Sequence, residues 1–257
     1  MSKPRKPDPS AAPEPKVSVE PIPARRYMLV DMARGVAIAL MFIYHFIFDL
    51  DYFGVVAFDF NNDIRWLSFR ALIVSLFSGL VGVSLVLGPG RKLDCKRYGK
   101  RLLAVGACAV LASVGSYFIF PQTFIFFGIL HFVFAASVLG LAFLRFTWLN
   151  LILGATLIVF GTSLKLPFFD QPPLQWIGMM THKPHTEDYV PLLPWFGVVL
   201  VGMFLAGRAQ LYSWLEKISK MEFHNPVAKL LAFGGRHSLI VYMLHQPIFI
   251  GLLSIGV

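Results

Sequence analysis

Charge is scarce in this chain, and cysteine scarcer. Asp, Glu, Lys and Arg make up only 14% of residues, against about 25% in an ordinary soluble domain, which excludes a water-facing surface over most of the molecule. The two cysteines, Cys95 and Cys108, exclude a disulfide framework. One falls in a basic segment and the other in an apolar run, so both are expected as free thiols. Neither a Walker-type nor a dinucleotide glycine motif occurs, which removes the common nucleotide-binding enzymes. Internal repeats of the kind that mark many transporters are missing too. His182 and His185 have ligand-like spacing, yet their neighbours are Asp and Glu and no third His or Cys accompanies them, so no metal is expected.

Apolar length is what the chain has. Hydrophobic residues reach 56%, with 25 Phe, and the mean hydropathy is +0.67, so lipid is the expected solvent. Measured against the roughly 20 residues that cross a ~30 Å hydrocarbon layer, apolar runs fall near 29–50, 66–88, 102–120, 124–144, 147–165, 190–207 and 236–256. The expected fold class is therefore all-α, a polytopic bundle of about seven spans in one domain over residues 27–257. Residues 1–26 are rich in Pro and charge and are expected as a disordered tail. No cleavable signal is evident before the first run, which reads as an uncleaved signal anchor.

The formal net charge of +9 does not point to nucleic acid, because its distribution alternates. Arg25 and Arg26 precede the first run; Arg91, Lys92, Lys96, Arg97, Lys100 and Arg101 follow the second; Arg145, Arg208, Lys217 and Lys220 fall in later even-numbered gaps. The other gaps hold only Arg65, Lys165 and Lys183. This pattern places the amino terminus in the cytoplasm and the carboxyl terminus outside. The outer connections are then Asp51 to Asp63 and Pro167 to Pro191. Gln210 to Phe233, with Trp214, Leu215, Ile218 and Met221 among charged residues, reads as an interfacial amphipathic helix.

A titratable group at membrane depth costs about 2.5–3.5 kcal/mol on insertion scales, so each one inside a run is a functional candidate. The first run holds Asp31 and Arg34 at one end and His45 and Asp49 toward the other. Spacings of three and four put each pair on one helical face, and His45 lies roughly 16 Å along the axis from Arg34. Asp31 with Arg34 is either an ion pair that sets helix depth or part of a ligand site. An imidazole oriented by a carboxylate suits a general base or nucleophile; the other reading of His45 and Asp49 is an interhelical hydrogen bond. His131, after Gly128, is either a packed, hydrogen-bonded histidine or a site residue. Ser238, Tyr242 and His245 follow the i, i+4, i+7 rule and form one polar stripe on the last run.

Asp31-x-x-Arg34-Gly35, Gly128-x-Leu130, Pro194-Trp195 and Gly235-x-x-Ser238-x-x-x-Tyr242-x-x-His245, in that order, resemble the heparan-alpha-glucosaminide N-acetyltransferase catalytic-domain family from about residue 25 to the carboxyl terminus. The resemblance implies an integral-membrane enzyme that takes an acetyl group from acetyl-CoA on the cytosolic face and delivers it to an amino sugar or other glycan acceptor on the far side, with histidine chemistry near the outer end of the first span. Asp31, Arg34, Ser238, Tyr242 and His245 fall on motif positions, and His45 is the histidine nearest the implied centre.

The expected mechanism gives the phosphates of acetyl-CoA to the basic segment, with Arg91, Arg97, Arg101 and Arg34, although plain topology also accounts for that segment. His45 with Asp49 serves the acceptor or carries the acyl group, and Tyr242 or His245 supplies a donor to the thioester oxygen. The expected setting is the inner membrane of a bacterium, with lipid, acetyl-CoA and a glycan acceptor as partners; homo-oligomerisation stays open. Two rivals share the same polar groups: a transporter or channel for a small solute, and a non-catalytic scaffold subunit of a membrane complex.

Overall fold

The computed structural model describes residues 27–87, 95–208, 217 and 225–256. Among these the chain forms eight α-helices and no strand: α1 Met28–Tyr52, α2 Ile64–Leu87, α3 Cys95–Ile119, α4 Ile129–Leu141, α5 Trp148–Ser163, α6 Leu192–Gly207, α7 Pro226–Arg236 and α8 Ser238–Gly256. Two 3-10 turns, Pro167–Asp170 and Pro172–Ile177, lie between α5 and α6. The expected tail over 1–26 and Arg91 are outside the described residues, as are Trp214, Leu215, Ile218 and Met221 of the expected interfacial helix.

Helices α1, α2, α3 and α8 are long and apolar enough to cross a membrane, so the chain is an integral membrane protein. Helices α4, α5 and α6 are apolar but run 13, 16 and 16 residues, short of the roughly 20 that one crossing needs. The expected run 124–144 is helical only from Ile129. Before it, the chain satisfies its backbone against the loop that leads into α6: Glu187 N donates to Thr123 O at 2.9 Å, Val190 N to Phe127 O at 3.2 Å, and the Thr186 hydroxyl to Phe124 O at 2.8 Å. Non-helical backbone at this depth is tolerable because another protein segment, not lipid, faces it.

Small residues set how closely the helices approach. Helix α6 is the hub, packed on α2, α4 and α5, and Phe132, Ala136, Phe196, Val199, Leu200 and Met203 form the core between these elements. Helix α7 runs antiparallel along the first half of α1. A Cβ on Gly35 would strike the Leu231 carbonyl, and a Cβ on Gly235 would strike that of Asp31, so both motif glycines are required by the α1–α7 crossing. Ala228 and Ala232 of α7 are buried while Val227, Leu230 and Phe233 face outward. The part of the expected interfacial stretch that is described thus packs along α1. The chain breaks at His237, and α8 turns back beside the second half of α1. Helix α3 stands at the edge, with Ala109 alone buried along its length.

Gly35→Ala is expected to destabilise the detergent-purified protein by about 1–3 kcal/mol through overpacking. Gly251→Ala, where an added Cβ meets nothing within 4 Å, is expected to be near neutral. Equal unfolding midpoints for the two variants would contradict the close crossing.

Candidate active site

Two polar constellations sit at opposite ends of the bundle. At the first, Arg34 Nη1 donates to Asp31 Oδ1 at 2.9 Å and to the Gly235 carbonyl at 3.3 Å, and Nη2 donates to Ser84 Oγ at 2.9 Å. Arg236 Nε reaches Asp31 Oδ2 at 3.4 Å. The expected Asp31–Arg34 pair is therefore present, and it ties α1 to α2 and α7. With three acceptors from the protein already engaged, Arg34 is placed to hold helices together. The amino-terminal turns of α3 bring Lys96, Arg97, Lys100 and Arg101 to the same end, where the Tyr98 hydroxyl donates to the Ser137 carbonyl at 2.7 Å.

At the other end, a cavity of about 850 Å³ opens between α1, α2, α8 and the connections before α2 and α6. Aromatic side chains form much of its wall, among them Tyr44, Phe48, Phe60, Phe77, Trp195 and Tyr242. His45 is on that wall. Its Nδ1 is buried with no hydrogen-bond partner, a position that a bound polar ligand or water would satisfy. His245 of α8 stands behind it, ring centroids 5.1 Å apart, and stacks on Phe42 at 5.5 Å. His245 Nδ1 is 2.5 Å from the Tyr242 carbonyl. A carbonyl only accepts, so that bond assigns the proton to Nδ1 and leaves Nε2 with a free lone pair. Nε2 is buried and unpartnered as well.

Asp49 is buried but does not orient His45. Its Oδ1 accepts from Gln246 Nε2 at 3.2 Å, joining α1 to α8 one turn beyond the two imidazoles. The expected His45–Asp49 pair is thus replaced by a His45–His245 neighbourhood, because α8 brings both Gln246 and His245 against this face of α1.

His131 is not on the cavity wall. Its Nδ1 accepts from Gly128 N at 3.3 Å, which leaves Nε2 to donate to Ser113 Oγ at 3.1 Å; Ser113 in turn donates to the Ile125 carbonyl at 2.6 Å. The packed, hydrogen-bonded reading describes this residue. Ser238 opens α8 at the Asp31 end and makes no described side-chain hydrogen bond, so only Tyr242 and His245 of the stripe reach the cavity end.

Asp188 organises another part of the cavity wall. Its Oδ2 accepts from Ile129 N at 2.8 Å, capping α4, and from the Tyr242 hydroxyl at 3.3 Å. Gly128 leaves the room, since a Cβ there would collide with that same oxygen. Arg70 and Lys183 also act electrostatically on this carboxyl group. Asp170, in the same connection, is held low by its bonds from the Thr181 hydroxyl and amide.

Residues 26–247 match the model of a protein family described as heparan-alpha-glucosaminide N-acetyltransferase, catalytic. The chain belongs to this family. Comparison with curated proteins and with solved structures gives no match. The family is one of membrane acetyltransferases, and its motif residues divide in this chain between the two ends: Asp31, Arg34, Gly35 and Gly235 build the α1–α7 crossing, while Tyr242 lines the cavity and His245 stands behind its wall. Arg70, Lys183 and Asp188 also line the cavity and are absent from the sequence-derived set. Arg70 had a legible signal, an arginine inside an apolar run. Lys183 and Asp188 had none beyond membership of a polar loop.

If Asp188 holds Tyr242, the two are coupled. A double-mutant cycle of Asp188→Ala and Tyr242→Phe, read by unfolding in detergent, is expected to give an interaction energy of roughly 0.5–3 kcal/mol. Strict additivity would show that the 3.3 Å contact contributes nothing.

Proposed function

We propose that the chain is a transmembrane acetyl-CoA-dependent N-acetyltransferase that delivers the acetyl group to an amino sugar or other glycan acceptor bound in the cavity beside His45. The observation that carries this reading is the buried, unpartnered His45 Nδ1 on the wall of an aromatic-lined cavity in a member of this family. Family membership favours it over the transporter and scaffold readings.

The bundle crosses the membrane about seven times, with α4, α5 and α6 completing their crossings through the non-helical segments that adjoin them. The amino terminus lies in the cytoplasm and the carboxyl terminus outside, in a bacterial inner membrane. Acetyl-CoA binds with its phosphates at the basic amino-terminal turns of α3, on Arg97 and Arg101, with Arg91 in the preceding segment; Arg34 and Asp31 position the helices around it. The pantetheine arm then reaches along α1 toward His45. As the acceptor nitrogen forms its bond to the acetyl carbon and the thioester C–S bond breaks, His45 takes the acceptor proton, or it first carries the acetyl group itself. His245 Nε2, a lone pair beside His45, can receive a proton in turn. Tyr242 is the hydroxyl at hand for the oxygen that develops charge, by releasing its long bond to Asp188. No metal takes part in this scheme.

His45→Ala in purified protein with labelled acetyl-CoA and glucosamine is expected to lower transfer by about 10²–10⁴-fold, the range for loss of a general acid–base group. Undiminished transfer would remove His45 from the mechanism.

A further inference from the structure

Arg70 has no role in this scheme, yet it is a costly residue to keep. It lies six residues into α2, about 9 Å along the helix, half-buried and on the cavity wall. A charged group at such depth in a span is retained where something pairs with it. Among the described residues no carboxylate lies within the 4.0 Å that would make a salt bridge to Arg70. The Tyr44 hydroxyl faces it. Asp188 acts on it electrostatically, but that carboxylate is engaged by Ile129 N and Tyr242. Lys183, whose Nζ donates to Asn61 Oδ1 at 3.2 Å, adds a second cation to the wall, and Lys165 a third. The remaining acid there, Glu187, accepts from the Thr123 hydroxyl at 2.5 Å.

From this surplus of cations we infer that Arg70 and Lys183 form an anion subsite in the cavity, which takes a phosphate or carboxylate carried by the acceptor, whether soluble or lipid-linked. The inference rests on the acetyltransferase reading for what the cavity holds, and it names the acceptor class: a sugar with an anionic group near its reacting nitrogen. Tyr44 links the subsite to His45: Arg70 acts on its hydroxyl, and its ring centroid is 5.6 Å from that of His45. An anion on Arg70 is therefore held in the same cavity that His45 lines. A guanidinium suits this task because its fixed fork matches phosphate and carboxylate oxygens.

Radiolabelled glucosamine 6-phosphate and unphosphorylated glucosamine are the probes, bound to purified protein in nanodiscs without acetyl-CoA. The wild type is expected to bind the phosphorylated sugar at least tenfold more tightly. Arg70→Gln is expected to remove that preference without changing glucosamine binding, and Arg70→Lys to restore part of it, which shows that the site still folds. Phosphatidic acid in the nanodisc that displaces the probe in wild type but not in Arg70→Gln marks the natural anion as lipid-borne; lack of displacement marks it as soluble, and both support the subsite. Equal binding of the two sugars by the wild type, or equal loss of both in Arg70→Gln, overturns it. Because no acetyl-CoA is present, charge-selective binding without later transfer would sink the enzymatic reading alone. Transfer with no charge preference would sink the subsite alone.

Discussion

A polar group surrounded by hydrocarbon must find its partner inside the protein, and the pairing of Asp31 with Arg34 and Arg236 is where this constraint shapes the bundle most. The carboxylate on α1 engages one guanidinium from its own helix and one from α7, and Arg34 extends the linkage to α2 through Ser84. This works only because Gly35 and Gly235 let α1 and α7 come into backbone contact. Once α7 is fixed there, the turn at His237 sends α8 back along α1, which brings Tyr242, His245 and Gln246 against the half of α1 that bears His45 and Asp49. The ion-pair cluster at one end therefore positions the imidazole pair at the other.

The cavity end obeys the same constraint with a different result. Asp31 Oδ2 lacks a hydrogen bond but is reached by the Arg236 guanidinium at 3.4 Å, whereas His45 Nδ1, Asp49 Oδ2, His245 Nε2 and Gln246 Oε1 have neither. Unsatisfied buried polar atoms are few in native structures and mark places where something else binds. Their concentration along one stretch of α1 and α8, beside a cavity, contrasts with the ion pairs that tie α1, α2 and α7 together at the other end.

Much of this was legible in the amino-acid sequence. The apolar runs at 29–50 and 66–88 gave α1 and α2 within two residues, and the three-residue spacing of Asp31 and Arg34 gave their ion pair. Helix spacing also aligned Tyr242 with His245. Pairing between distant segments was not legible. The i, i+4 spacing of His45 and Asp49 suggested a local hydrogen bond, but Gln246, nearly two hundred residues away, takes the carboxylate. Nor does hydropathy reveal that residues 123–127 are non-helical, since their partners in the loop before α6 appear only when the chain folds. Arg70 obeyed the rule applied to the first run, and its meaning depends on which carboxylates stand near it in space.

The central claim is that one bundle binds acetyl-CoA at the Asp31 end and serves an acceptor at the His45 end. Proteoliposomes carrying the protein in one orientation, with labelled acetyl-CoA on one side of the bilayer and the amino-sugar acceptor confined to the other, test this directly. The account predicts acetylated acceptor accumulating on the side opposite the donor, and only for the orientation that presents the basic turns of α3 to acetyl-CoA. Product formed only when donor and acceptor share a compartment would contradict it.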